Sequence, residues 1–288
     1  MTRTRLAALT AITMIAFAAN SWLCRLALSR TSIDAATFTT ARLVSGAAVL
    51  VLLAARAGRE RSPNGNWVSA AALFAYAAAF SFAYHSLTAG TGALILFGSV
   101  QATMILWDLR SGSGLRPMQL AGLVLALAGL VGLVLPGLAA PPLGGSLLMT
   151  ASGIAWGVYS MRGRGAGNPV RVTAGNFARA VPFALVLTAA TLAEARPDAD
   201  GLLYAVASGA ITSGIGYAIW YSVLPSLKAT SAATVQLSVP VIAALGGIAF
   251  MGEAVTLRLV LASLAILGGI ALVISDRASA QAASRRTQ

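Results

Sequence analysis

The 288-residue sequence predicts an all-α integral membrane protein with ten transmembrane helices, set as two inverted five-helix repeats around a central cavity. Three observations predict this. The chain is 58% hydrophobic and 10% charged, with mean hydropathy +0.81, whereas a soluble protein carries roughly 25% charged residues. Its basic residues gather on alternate sides of successive apolar runs. Its two halves align along much of their length without a gap.

Polar breaks divide the chain into spans at 6–28, 34–55, 67–87, 90–108, 116–135, 145–162, 171–193, 201–223, 229–251 and 257–275. Each approaches the roughly 20 apolar residues that cross a bilayer. Barrel strands would alternate polar and apolar residues, which these runs do not. The first span contains Asn20 and Trp22 and leads into Arg25 and Arg30 rather than a small-residue cleavage site. It is therefore expected to stay as a helix and not to be removed as a signal peptide. Turn chemistry marks Pro63-Asn64-Gly65-Asn66, Pro136-Gly137 and Pro197-Asp198-Ala199-Asp200-Gly201.

Sidedness follows from the basic residues. With the N-terminus inside, fourteen of the twenty lysines and arginines fall on the cytoplasmic face, from Arg3 and Arg5 to Arg285 and Arg286. Outside lie only Arg25, Arg30, Arg196 and Arg258, while Arg42 and Arg179 sit within spans. Both termini are thus expected in the cytoplasm, in a bacterial-type plasma (inner) membrane. The net charge of +12 reflects membrane insertion and the lipid bilayer as partner, not nucleic acid.

Residues 89–134 overlay 229–274 at a constant shift of 140, with Ala93 on Ala233, Gly112 on Gly252 and Gly129 on Gly269. Further upstream the shift is 137, and Ala41-Arg42 falls on Ala178-Arg179. Five spans per copy reverse the second copy's direction, giving an inverted repeat with a pseudo-two-fold axis in the membrane plane. The expected units are 1–137 and 138–288.

The segments TFTTARLVSGAAVLVLL, SLTAGTGALILFGSVQATMIL and LKATSAATVQLSVPVIAALGGIAFMGEAVTLRLVLASLAILGGIALVI resemble the ten-helix EamA-type branch of the drug/metabolite transporter superfamily. The resemblance covers nearly the whole chain and is strongest at Val239-Pro240-Val241 and Met251-Gly252-Glu253. It implies two bundles around a cavity lined by the third, fourth, eighth and ninth helices with parts of the first and sixth. It also implies similarity to exporters of amino acids and other small metabolites. The first copy departs from the second, with Val100 opposite Pro240 and Ser113 opposite Glu253. Small multidrug pumps of the superfamily use a first-helix glutamate to exchange protons for cations. Here that helix offers Asn20 and no acid, which argues against that route.

Arg42 and Arg179 are intramembrane charges, functional by default. With Asp34, Asp108, Glu194 and Glu253 all at span ends or in loops, the two arginines must bond helix carbonyls, snorkel to a surface or meet an anionic substrate. Cavity candidates are Asn20, Tyr84, His85, Phe97, Gln101, Trp156, Tyr159, Tyr217 and Gln236. His85, the single histidine, is either an interfacial side chain or a rim group binding substrate or carrying a proton. Trp67, Trp107 and the pair Trp220-Tyr221 are expected in interfacial belts. Ser208, Thr212 and Gly216, like Gly122 and Ala126, read as small-residue packing seams. Asn176 is a weaker polar candidate, Asp34 reads as an N-cap, and Glu253 is expected to bond the turn ahead of the last span.

No nucleophile–base pair or phosphate loop appears, so no catalytic residue or cofactor is expected. One histidine and one cysteine exclude a zinc site by ligand count. The leading expectation is a carrier for a small polar solute, with amino acids foremost. Nucleoside, organic-acid or drug efflux, a membrane-embedded lipid enzyme and a structural or scrambling protein remain alternatives. One chain already supplies both halves, so a monomer suffices.

Overall fold

A computed structural model describes residues 2–56, 65–110, 116–163, 167–227 and 229–286, with backbone alone at 108, 229–230 and 277–286. Arg59, Arg61, Gly112, Ser113, Arg164 and Lys228, used in the sequence reading, lie outside the described residues. Every regular element described is helical. The elements are α1 (Arg3–Arg30), α2 (Ala35–Arg56), α3 (Trp67–Tyr84), α4 (Ala89–Arg110), α5 (Pro117–Val134), α6 (Leu143–Arg162) and α7 (Pro169–Ala190). They continue with α8 (Ala199–Ala207), a π-helical stretch Ser208–Ile215, α9 (Gly216–Val223), α10 (Ala229–Gln236), α11 (Ser238–Met251) and α12 (Leu257–Arg286).

Among the described residues nine helical segments are long and apolar enough to cross a membrane, the stretch from α8 to Ser226 forming one of them. The remaining helix, α6, is also 20 residues long but is diluted by glycine and serine. Exposed Val124, Val131, Val186, Leu203 and Leu264 cover the outside of the bundle. Such a continuous apolar surface suits lipid and not water.

Polar caps start the helices where turn chemistry placed them. Asp34 Oδ1 accepts from the N–H of Thr37 at 2.8 Å, Asn66 from Ser69 and Asp198 from Gly201, each satisfying an orphan first-turn donor. The other Asp34 oxygen accepts from the N–H of Arg196 at 2.8 Å, stitching the α1–α2 turn to the α7–α8 turn. Partial burial works against the Asp34 carboxylate, but the bonds from Thr37 and Arg196 outweigh it and hold its carboxyl below the usual range.

Packing follows a pseudo-two-fold pattern. Helix α2 lies against α7, α5 against α12 and α4 against α11, each beside its own counterpart. The remaining close pairs exchange under the same operation: α3 with α6 answers the eighth span with α1, and α4 with α6 answers α11 with α1. The α5–α12 seam is backbone-close, because a Cβ on Gly122 would stand 2.5 Å from the carbonyl oxygen of Gly269.

Three features differ from the sequence reading. The ninth span is two helices, broken at Leu237. Pro240 explains the break, since it has no N–H to offer the carbonyl one turn back; α4, with Val100 there, runs unbroken. The eighth span passes through a π-helical segment. The last helix continues beyond the span, through Arg286.

The α5–α12 seam yields a stability prediction. Gly122→Ala should cost about 1–3 kcal/mol by overpacking, read as a lower melting temperature in detergent. Gly132→Ala, with open space around its Cβ, should be neutral or slightly stabilising.

Candidate functional site

A cavity of about 360 Å³ lies between the two sets of helices. It reaches the surface beside Gly163, Gly167 and Pro169, exposed residues at the α6–α7 turn. That is the face carrying the N-terminal end of α1.

Its aromatic walls come from helical spacing. On α9 and beyond, Tyr217, Trp220, Tyr221 and Leu224 recur at i, i+3, i+4 and i+7 and all line the cavity. Trp156 stacks on Tyr217 with centroids 5.5 Å apart and planes 23° apart. It also meets Tyr76 at 4.8 Å and Tyr159 at 5.3 Å. Phe17 of α1 meets the edges of Tyr217 and Trp220.

A polar network crosses the inner end. Asn20 Oδ1 accepts from the Ser208 hydroxyl at 2.5 Å and lies 3.3 Å from the Thr212 hydroxyl. Asn20 Nδ2 donates to Tyr76 Oη at 3.3 Å. Arg42 Nη2 donates to the same oxygen at 2.9 Å, so the charge stands one side chain behind the wall. Its guanidinium carbon lies 5.1 Å from the Tyr76 ring centre and 4.9 Å from that of Phe80. Near the mouth, Asn176 Oδ1 accepts from the N–H of Asn66 at 2.9 Å, and its Nδ2 faces Tyr159 Oη at 3.5 Å.

The end opposite the mouth is closed. Glu253 forms an ion pair with Arg25 at 3.5 Å and accepts from the N–H of Ala89 at 3.0 and 2.9 Å. Arg25 Nη1 also donates to the carbonyls of Tyr84 and His85, and Trp22 Nε1 to that of Ala243 at 2.9 Å. Gly252, at φ +68°, supplies the left-handed step. The N–H groups of Gly252 and Glu253 return to Ile248 and Gly247, an arrangement that turns the glutamate back over the helix end.

The cavity brings together Asn20, Phe97, Trp156, Tyr159, Tyr217 and Gln236. Three other candidates are not in its lining. His85 is exposed at the α3 C-cap on the closed face, because α3 ends there rather than running to Leu87. Tyr84 is fully buried, its hydroxyl donating to the carbonyl of Ala89 at 3.3 Å. Gln101 is buried in α4 away from the lining. Arg179 is half-buried and donates to the carbonyl of Gly175 at 3.0 Å; Arg42, 1% exposed, does not snorkel. Trp220 and Tyr221 line the cavity and are not a belt pair. Glu253 caps α4 instead of the turn before α12. Sequence reasoning missed Tyr76, Phe17 and the lining from α7 other than Asn176, and took Ser208 and Thr212 as packing alone. The i, i+4 pairing of Tyr76 with Phe80 was the available signal.

A membrane-crossing bundle with a chamber open to one face is an architecture suited to membrane transport proteins. Residues 5–135 and 143–275 each match the EamA-like transporter family. The chain is a member of that family, within the drug/metabolite transporter superfamily, and a multi-pass membrane protein. It is 54% identical over 270 residues to an uncharacterised protein of Pseudomonas aeruginosa, covering 93% of this chain and 94% of that one. A crystal structure superposes with a TM-score of 0.64 at 25% identity, covering 91% of this chain and 98% of the other.

Asn20→Ala removes the acceptor shared by two buried hydroxyls. It should cost about 1–3 kcal/mol, measured as loss of thermal stability in detergent.

Proposed function

We propose that the protein is a secondary carrier exporting small polar metabolites, amino acids foremost, across a bacterial-type plasma membrane by alternating access. The observation that carries this reading is a chamber of about 360 Å³ that opens at one face and is latched at the other. The volume suits a small metabolite. The aromatic faces of Trp156, Tyr217 and Tyr76 offer cation–π contact to an ammonium group, while the amides and hydroxyls offer hydrogen bonds. Two units, 1–137 and 138–288, rock about the chamber as inverted repeats do, and one chain suffices. The mouth faces the cytoplasm, with both termini, as the distribution of basic residues favours. Asn20, Phe97, Trp156, Tyr159, Tyr217 and Gln236 contact the solute.

Reconstitution into proteoliposomes with a panel of labelled metabolites tests the reading. Saturable flux of one solute, competed by its unlabelled form, is expected, and no flux of any solute would reject it. Trp156→Ala should raise the half-saturating concentration roughly 5- to 150-fold, since one aromatic stacking contact contributes about 1–3 kcal/mol.

The latch carries a second expectation. In a Cys24→Ala background, Glu253→Gln removes the ion pair and should increase labelling of Ser21→Cys from the outer face severalfold. Unchanged labelling would mean that this contact does not hold the outer end shut.

A further inference from the structure

Arg42 is the largest fully buried side chain and sits where no acid meets it. Neither ion pair among the described residues includes it. One guanidinium nitrogen bonds Tyr76, whereas Nε and Nη1 have no hydrogen-bond partner. A buried positive charge without a counter-ion is costly, and half-satisfied donors add to the cost. The rings of Tyr76 and Phe80 relieve only part of it through cation–π contact.

The hydrogen bonds around Arg42 have a direction. Tyr76 Oη accepts from Arg42 and from Asn20, which occupies both of its lone pairs. In the structure Asn20 takes that orientation, its Oδ1 accepting from the Ser208 hydroxyl at 2.5 Å. The phenol proton of Tyr76 therefore remains to be donated, and Tyr76 lines the cavity. None of the described lining residues is charged. The inner end thus presents a donor backed by a full positive charge, with no anion among the described lining residues.

We propose that the solute carries an anionic head, a carboxylate or a group of like charge, that accepts a hydrogen bond from Tyr76 Oη while Arg42 supplies the counter-charge from behind the wall. A charge-assisted bond of this kind is about twice as strong as a neutral one. The stacked pair of Trp156 and Tyr217 receives the flat or apolar body. Positioning falls to Arg42, which acts through Tyr76, and direct contact to Tyr76. The inference rests on the carrier reading only in taking this chamber as the solute site.

Tryptophan fluorescence of the purified full-length protein tests it, because Trp156 and Trp220 line the chamber. The probes are two matched pairs: 3-phenylpropanoate against 3-phenylpropanamide, and phenylalanine against phenylalaninamide. The acids should bind at least tenfold more tightly than their amides. Tyr76→Phe, which keeps the ring, should bring the acid-to-amide ratio close to one; Arg42→Gln should do the same, and Arg42→Lys should restore part of it. Melting curves confirm that each variant is folded, and Tyr76→Phe decides the matter should Arg42→Gln not fold. Equal binding of acid and amide, no binding of either acid, or a preference that survives Tyr76→Phe would overturn the proposal. Flux in proteoliposomes separates the two readings: carriage of an amine or an uncharged solute keeps the carrier and removes the anionic head.

Discussion

Hydrocarbon offers the backbone no hydrogen-bond partners, so every N–H and C=O crossing it must be satisfied within the protein. Helices meet that demand locally, which is why a chain with so few charges folds as a bundle of spans joined by polar turns. Departures from the regular helix are tolerated only where protein or a wet chamber replaces lipid. Both departures here obey the rule. The π-helical stretch supplies Thr212 and Ser213 to the cavity, and the break at Leu237 follows directly on Gln236, which also lines it. Irregular backbone thus marks the working interior.

Charge is distributed by the same logic. None of the described lining residues is charged, and the closed end holds an ion pair near the membrane surface. Glu253, Arg25 and the first N–H of α4 join three spans there, the carboxylate sitting at the positive end of a helix, where an anion is stabilised. At the open end Asn66, Asn176 and Tyr159 meet through amides and a hydroxyl, and Arg162 Nε donates to the Ser69 hydroxyl at 3.3 Å. One end is tied by a partly buried ion pair; the ion pair on the other side, Arg116 with Asp276, is longer and more exposed. The halves are related by symmetry but not equal in strength.

Much of the architecture was legible in the sequence. Apolar runs gave the spans, Asp34 its capping role, and Gly122 and Ala126 of α5 a closely packed seam. Helical spacing also placed Trp156 and Tyr159 together on one wall. Less legible was anything set by contacts between distant segments. Glu253 reads as a loop acid because its partners, Ala89 and Arg25, lie more than 160 residues away. His85 reads as a rim residue if α3 is run three residues too far. Trp220 looks like an interfacial anchor until the face it shares with Tyr217 and Leu224 is followed inward. Ser208 and Thr212 fit a packing seam as well as a polar grip, and only the position of Asn20 separates the two.

The π-helical stretch also bears on how the two halves diverged. The eighth span takes 28 residues from Ala199 to Ser226, while its counterpart α3 takes 18. Part of that surplus is wound into wider coils rather than spilled into a loop, and those coils carry the hydroxyls that grip Asn20. A chimaera built by joining two copies of the N-terminal half would keep ten spans and lose that grip. The shared frame therefore accounts for the ten spans, and the asymmetry between the halves for the chemistry inside it.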